Sequence, residues 1–171
     1  MLRMLNKIRG VGLATETPKF PEDPALVVLG GRLREEIGRR FAGSLAIRHV
    51  DAGSCNGCEL EIHALNSAVY DAERFGVHFV ASPRHADMLL VTGPVSRHME
   101  AALRRVYEAT PEPKLVVAVG DCGADGGEFG ACYANRGAVA NVIPVDAVIP
   151  GCPPEPIRLL QGILEAIGAT P

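Results

Sequence analysis

Four cysteines, Cys55, Cys58, Cys122 and Cys152, constrain this chain more than any other feature. The first two form a Cys-x2-Cys pair, and the other two come singly from far downstream. Cys55, Cys122 and Cys152 each follow a short apolar run that reads as a strand. A fold that uses all four must therefore bring three strand-end loops to one edge. An open α/β sheet does so, because its ligand-binding loops gather at the carboxyl ends of the strands.

The punctuation of the sequence agrees. Leu45–Val50, Gly76–Ala81, Met88–Val91, Lys114–Val119 and Val145–Ile149 predict strands, and Lys114–Val119 reads as a continuous apolar strand of the kind covered on both faces. Helices are expected from Cys58 to about Ala72 and over Met99–Ala109 with Ser96 as cap. A third is expected over Ile157–Ile167, after Pro153-Pro154 and with Gly168 beyond its end. Strands alternating with helices argue for an open, mostly parallel sheet flanked by helices. Residues 25–171 are expected to form this single α/β domain, and a chain of 171 residues buries about 70% of its unfolded surface.

Residues 1–24 read as an N-terminal arm, either frayed or docked on another subunit. Leu2, Leu5 and Ile8 share a short helical face, Arg3, Lys7 and Arg9 stay wet, and Pro18, Pro21 and Pro24 keep the following segment extended.

A net charge of -3 with no basic stripe, no Trp and 5% aromatic residues excludes the phosphate-tracking and base-stacking surfaces of nucleic-acid binders. No apolar run approaches the ~20 residues that cross a bilayer. Asn6, Lys7 and Arg9 interrupt any signal-peptide core, and Arg39-Arg40 falls inside the domain, not at the head of a leader. The expected address is cytoplasmic, with membrane contact peripheral and through partner subunits. In that reducing compartment five cysteines point to metal, catalysis or burial and not to a disulfide framework.

Four bare thiolates repel one another by about 4 kcal/mol per pair at ~4 Å and an effective dielectric of ~20, so the set makes sense as ligands. An iron–sulfur cluster takes four cysteines, and Cys152-Pro153 matches the Cys-Pro that closes bacterial ferredoxin motifs. Zinc is a rival, although structural zinc sites favour two close pairs. A thioredoxin-like redox pair at Cys55 and Cys58 is another, and it leaves Cys122 and Cys152 idle. Cys132 is a spare thiol.

The glycine-rich run Gly120–Gly130 lacks the Lys-Ser/Thr of a phosphate loop, and suits backbone that approaches a bulky cofactor. On a helix from Cys58, Glu61 falls in a stripe with Leu65, Ala68, Val69 and Ala72, while Glu59 lies opposite beside His63. Glu61 is thus the expected buried acid, a candidate for proton handling, an interface contact or a salt bridge. His49, His63, His78, His85 and His98 show no metal-ligand spacing.

Asp51-Ala-Gly-Ser-Cys-Asn-Gly-Cys-Glu-Leu-Glu-Ile62, Gly120-Asp-Cys122 and Ile149-Pro-Gly-Cys-Pro-Pro-Glu-Pro156 resemble the small subunit of energy-converting (group 4, formate-hydrogenlyase-like) [NiFe] hydrogenases. That subunit is similar in turn to the 20 kDa cluster-bearing subunit of complex I. The resemblance spans about residues 45–168. It implies a flavodoxin-like fold carrying one [4Fe-4S] cluster on Cys55, Cys58, Cys122 and Cys152. It also implies a partner large subunit that holds the nickel–iron centre, a ferredoxin-like iron–sulfur subunit that exchanges electrons, and membrane-embedded subunits in peripheral contact. Glu61 matches a glutamate that follows the first cysteines in both branches of the family. The spaced pair Cys55-Asn-Gly-Cys58 favours the hydrogenase branch over the complex I branch, which has adjacent cysteines and relays electrons to quinone. The chain ends soon after Cys152, which suggests a single cluster.

Overall fold

The fold is seen in a computed structural model that describes residues 2–11 and 23–169. Five short strands form one parallel sheet: β1 (Leu45–Asp51), β2 (Val77–Phe79), β3 (Met88–Thr92), β4 (Leu115–Val119) and β5 (Ala147–Ile149). They lie in the order β2-β1-β3-β4-β5. This is the doubly wound order of flavodoxin-like folds, in which the connection changes direction beside β1 and leaves a crevice there. Register runs Ile47 opposite Met88 and Met88 opposite Leu115, so the apolar centres of the three inner strands align.

Both faces are covered. Helices α2 (Pro24–Arg40), α3 (Gly57–Ala64) and α6 (Pro156–Ala169) bury Leu33, Ile37, Ile62, Leu159 and Ile163 against Ile47, Leu90 and Val117. On the other face α4 (Arg97–Ala109) sets Leu103 against Val50, Leu89, Val91 and Val116. Cover on both sides explains why β3 and β4 are buried at every position and apolar at all but Thr92.

All five expected strands are present, most of them shorter at the ends. Ser96 caps α4, its hydroxyl accepting from Met99 N at 3.2 Å. Helix α2 was not expected from the sequence, yet its signals are there. Asp23 caps it by accepting from Ala25 N, Pro24 sits in its first turn, and Leu26, Leu29, Leu33 and Ile37 keep helical spacing on its buried side. Pro24 thus begins a helix and does not prolong an extended arm; Pro18 and Pro21 lie outside the described residues. Helix α1 (Leu2–Val11) realises the expected amphipathic segment, and none of its residues is buried. Gly168 falls inside α6, not beyond it.

The largest departure concerns the helix after Cys58. It spans only Gly57–Ala64 and then unwinds through turns at Leu65–Ser67, where Ser67 N bonds Ala64 O and Ala72 N returns to Leu65 O. Ala68 and Val69 are therefore exposed and take no part in a helical stripe.

Candidate metal centre

The site is assembled by three loops at the carboxyl edge of β1, β4 and β5. After β1, the Asp51 carboxylate folds the chain back by accepting from Gly53 N at 2.8 Å and Ser54 N at 2.9 Å. Burial opposes ionisation of Asp51, but these amides, Ser54 first, hold its carboxyl below the usual range. Asn56 then takes a left-handed conformation, φ 72°, and α3 starts at Gly57 with Cys55 and Cys58 on either side of the turn.

The other two thiols are tied together by backbone. Asp121 N donates to Gly151 O at 3.0 Å, and Gly151 N donates to the Asp121 carboxylate at 2.8 Å. This reciprocal pair fixes the start of α5 (Gly120–Asp125), which carries Cys122, against the loop that carries Cys152.

Cys55, Cys58, Cys122 and Cys152 line one cavity of about 110 Å³ together with Ser54, Gly57, Gly93, Asp121, Gly151 and Pro153. The four cysteines singled out from the sequence thus converge. Cys132 lines no part of this cavity; its sulfur accepts from Ala134 N and Asn135 Nδ2 in an exposed loop. Among the described residues no group of three or more His, Cys, Asp or Glu side chains is placed to hold a metal ion. A separate groove of about 980 Å³ between α2 and α6 contains no thiol.

Glycine packs against the sulfurs. A Cβ on Gly120 would stand 2.7 Å from Cys58 Sγ, and one on Gly127 2.8 Å from Cys122 Sγ. Only a residue without a side chain lets the backbone come this near, and near backbone is what donates N–H groups to cluster sulfurs. The site therefore fits a bulky sulfur-ligated group in both donor chemistry and shape.

Burial pushes the Cys58 thiol up to about 12, and the neighbouring charges of Glu59, Cys55, Cys122 and Cys152 add to the shift. Cys122 is raised by burial and then by Cys152 and Cys55. Without a metal these groups remain thiols at neutral pH, and loading the site must release protons.

The buried acid is Glu59, not the expected Glu61. Glu59 is 6% exposed and Glu61 is half-buried. With α3 shortened, Glu59 shares a face with Ile62 and Leu65, three and six residues on, and that face meets the sheet. The hydroxyl of fully buried Thr92, at the end of β3, donates to Glu59 Oε1. His49 Nε2 lies 3.1 Å from that hydroxyl and 3.6 Å from the carboxylate. Burial lowers the His49 pKa, with Glu59 opposing it. Glu59 Oε2 is buried with no hydrogen-bond partner among the described residues. Thr92 carried no signal in the sequence, because its role depends on β3 ending beside α3.

Comparison with known proteins places these features in context. Residues 55–166 match the family model described as NADH ubiquinone oxidoreductase, 20 Kd subunit. The chain is 47% identical over 139 residues to the probable membrane-bound hydrogenase subunit mbhJ of Pyrococcus furiosus, covering 80% of this chain and 83% of that protein. It is 43% identical over 136 residues to formate hydrogenlyase subunit 7 of Escherichia coli, covering 80% of this chain but only 53% of that one. Among solved structures, a chain of the membrane-bound sulfane sulfur reductase, an archaeal respiratory membrane complex, superposes with a TM-score of 0.65 at 33% identity. That match covers 84% of this chain and 74% of the other. A chain of an NAD+-reducing [NiFe]-hydrogenase shares the fold at 19% identity, with a TM-score of 0.56 over 75% of this chain and 93% of that one.

Proposed function

This chain belongs to the family of the 20 kDa subunit of NADH ubiquinone oxidoreductase, and we propose that it is the electron-relay subunit of a membrane-bound [NiFe] hydrogenase. Cys55, Cys58, Cys122 and Cys152 hold one [4Fe-4S] cluster in this reading. The observation that carries it is the convergence of these four thiols on one small cavity at the crevice of a doubly wound sheet. Its room for a group larger than one ion, and a ligand set with one close pair and two distant single cysteines where structural zinc sites favour two close pairs, favour a cluster over zinc.

When bound, such a cluster accepts and passes on single electrons. The chain's own residues supply the rest. The Cys-x2-Cys turn contributes two thiolates, the Asp121–Gly151 clamp holds the other two loops in register, and Gly120 and Gly127 bring backbone amides close. Cys55 and Cys152 are exposed, which leaves this edge open for a partner to cover and for electrons to enter or leave over a short distance.

The partners in this reading are a large subunit with the nickel–iron centre, a ferredoxin-like iron–sulfur subunit, and membrane-embedded subunits met peripherally. Among the described residues no helix is long and apolar enough to cross a membrane. Glu61, half-buried in α3, is kept as a proton-handling candidate beside the cluster.

Anaerobically purified protein should contain about four iron and four acid-labile sulfide per chain, with a paramagnetic signal on reduction. Zinc without sulfide overturns the proposal. A second reading, a complex I-like relay to quinone or to another acceptor, is favoured by the family description and by the likeness to the sulfane sulfur reductase chain. Hydrogen uptake or evolution by the intact assembly separates the two.

A further inference from the structure

Helix α1 has a composition and a setting that the relay function does not use. Its ten residues, Leu-Arg-Met-Leu-Asn-Lys-Ile-Arg-Gly-Val, bury nothing against the rest of the described chain. Met4, Ile8 and Val11 recur at the i, i+4, i+7 spacing of one helical face, and Leu5 joins them three residues before Ile8. All four are exposed. Isolated helices shorter than about 12–15 residues are marginal in water, so a helix of this length needs an apolar phase or partner to hold it.

Charge indicates which. Arg3, Lys7 and Arg9 are the only ionisable side chains of α1, and all are cationic, whereas the whole chain carries a net charge of -3. The acidic excess lies entirely in the remainder of the molecule, which an anionic surface would repel. Lys7, three residues from Met4 and four from Val11, stands at one rim of the apolar face, and Arg9 lies between Leu5 and Leu2 on its other side. Long basic side chains in these places can keep their heads in water while their stems and the apolar residues beside them enter an apolar layer. This pattern suits the plane of a lipid interface, with headgroup phosphates meeting the rim and acyl chains meeting the face.

We propose that α1 is an interfacial anchor that binds the surface of an anionic bilayer directly, in addition to any hold supplied by partner subunits. The anchor does not depend on the cluster chemistry, and it fails or stands on its own test.

The test is sedimentation of the purified full-length, cluster-loaded chain with vesicles. Vesicles of mixed phosphatidylglycerol and phosphatidylcholine should carry the protein down, and pure phosphatidylcholine vesicles should do so at least about tenfold less. Each cation removed, Arg3→Ser, Lys7→Ser or Arg9→Ser, should weaken binding by about fivefold, and added salt should weaken it further. Leu5→Asp combined with Ile8→Asp should abolish binding. Because α1 buries nothing, these variants should keep their iron content and circular dichroism. A Leu5→Trp variant gives a local readout: its emission should shift to the blue with anionic vesicles only. No binding to anionic vesicles, equal binding to both kinds, or binding that survives Leu5→Asp with Ile8→Asp overturns the proposal.

Discussion

Gly120 and Cys58 are so closely apposed that a single methyl group on Gly120 would fall 2.7 Å from the Cys58 sulfur. Gly120 also has φ +79°, a left-handed conformation that costs an L-residue about 1–2 kcal/mol. Two loops far apart in sequence therefore share one van der Waals shell, and the glycine is required by both packing and backbone.

Gly120→Ala should destabilise the fold by about 2–4 kcal/mol, combining overpacking with backbone strain. Iron content should fall with it, because the sulfur must move to make room. Gly31→Ala is the control. Gly31 lies on the exposed side of α2 with nothing near its Cβ position, and the change should be neutral or stabilise by up to about 1 kcal/mol. Urea unfolding and iron analysis of the two variants decide the matter, and equal behaviour would count against the shared-shell account.

Replacing Cys55, Cys58, Cys122 or Cys152 singly by serine should each remove most of the reduced-state paramagnetic signal. Cys132→Ser should leave it intact, since Cys132 borders no part of the cavity. Signal loss in Cys132→Ser with survival in any one of the other four would contradict the ligand assignment.

Thr92 is the hydroxyl that partners buried Glu59. Thr92→Val keeps the shape but leaves the carboxylate without that donor, and should cost about 1–3 kcal/mol of stability. Thr92→Ser should restore most of it. Glu59→Gln preserves volume while removing a negative charge next to Cys58. A charge of this kind acts on the cluster with about 1 kcal/mol at an effective dielectric of ~20, or some tens of millivolts for one electron. The midpoint potential should therefore rise in a redox titration followed by paramagnetic resonance. An unchanged potential would mean that Glu59 serves only the packing of α3.

The metal-free protein should lose stability in alkali. Cys58 has an ordinary value of 9.0 and stands at about 12 in the fold, so the unfolded chain gives up this proton first. The contribution is fully present below pH 9 and disappears as pH rises from 9 toward 12. Urea midpoints of metal-free protein should fall between pH 8 and 10.5 by more than those of the Cys58→Ser variant. Cluster-loaded protein, whose thiolates are already ligated, should show a flatter profile over the same range.

The sequence by itself determined the sheet and the edge on which its four cysteines meet. Five apolar runs marked five strands, the runs that became β3 and β4 were continuous enough to demand cover on both faces, and cysteines at strand ends had one edge on which to meet. These signals are local, carried by side-chain type and by turn residues, and they survive because the core of an open sheet tolerates no other placement. Helix α2 was equally written in Asp23-Pro24 and the spacing of Leu26, Leu29, Leu33 and Ile37, but an adjoining proline-rich stretch hid it.

Only the tertiary structure decided which acid is buried. Leu65, Ala68, Val69 and Ala72 have helical spacing, and a helix continuing through them would turn Glu61 inward. The fold ends α3 at Ala64 and turns the chain so that Ala72 can bond back to Leu65 and lead into β2. Once the helix is that short, its orientation is set by Ile62 seeking the core and by Thr92 offering a hydroxyl from another strand. A long-range hydrogen bond of this kind has no periodicity, so nothing local announces it. The physical reason is that helical spacing constrains which residues share a face, whereas the identity of the buried face depends on what stands opposite.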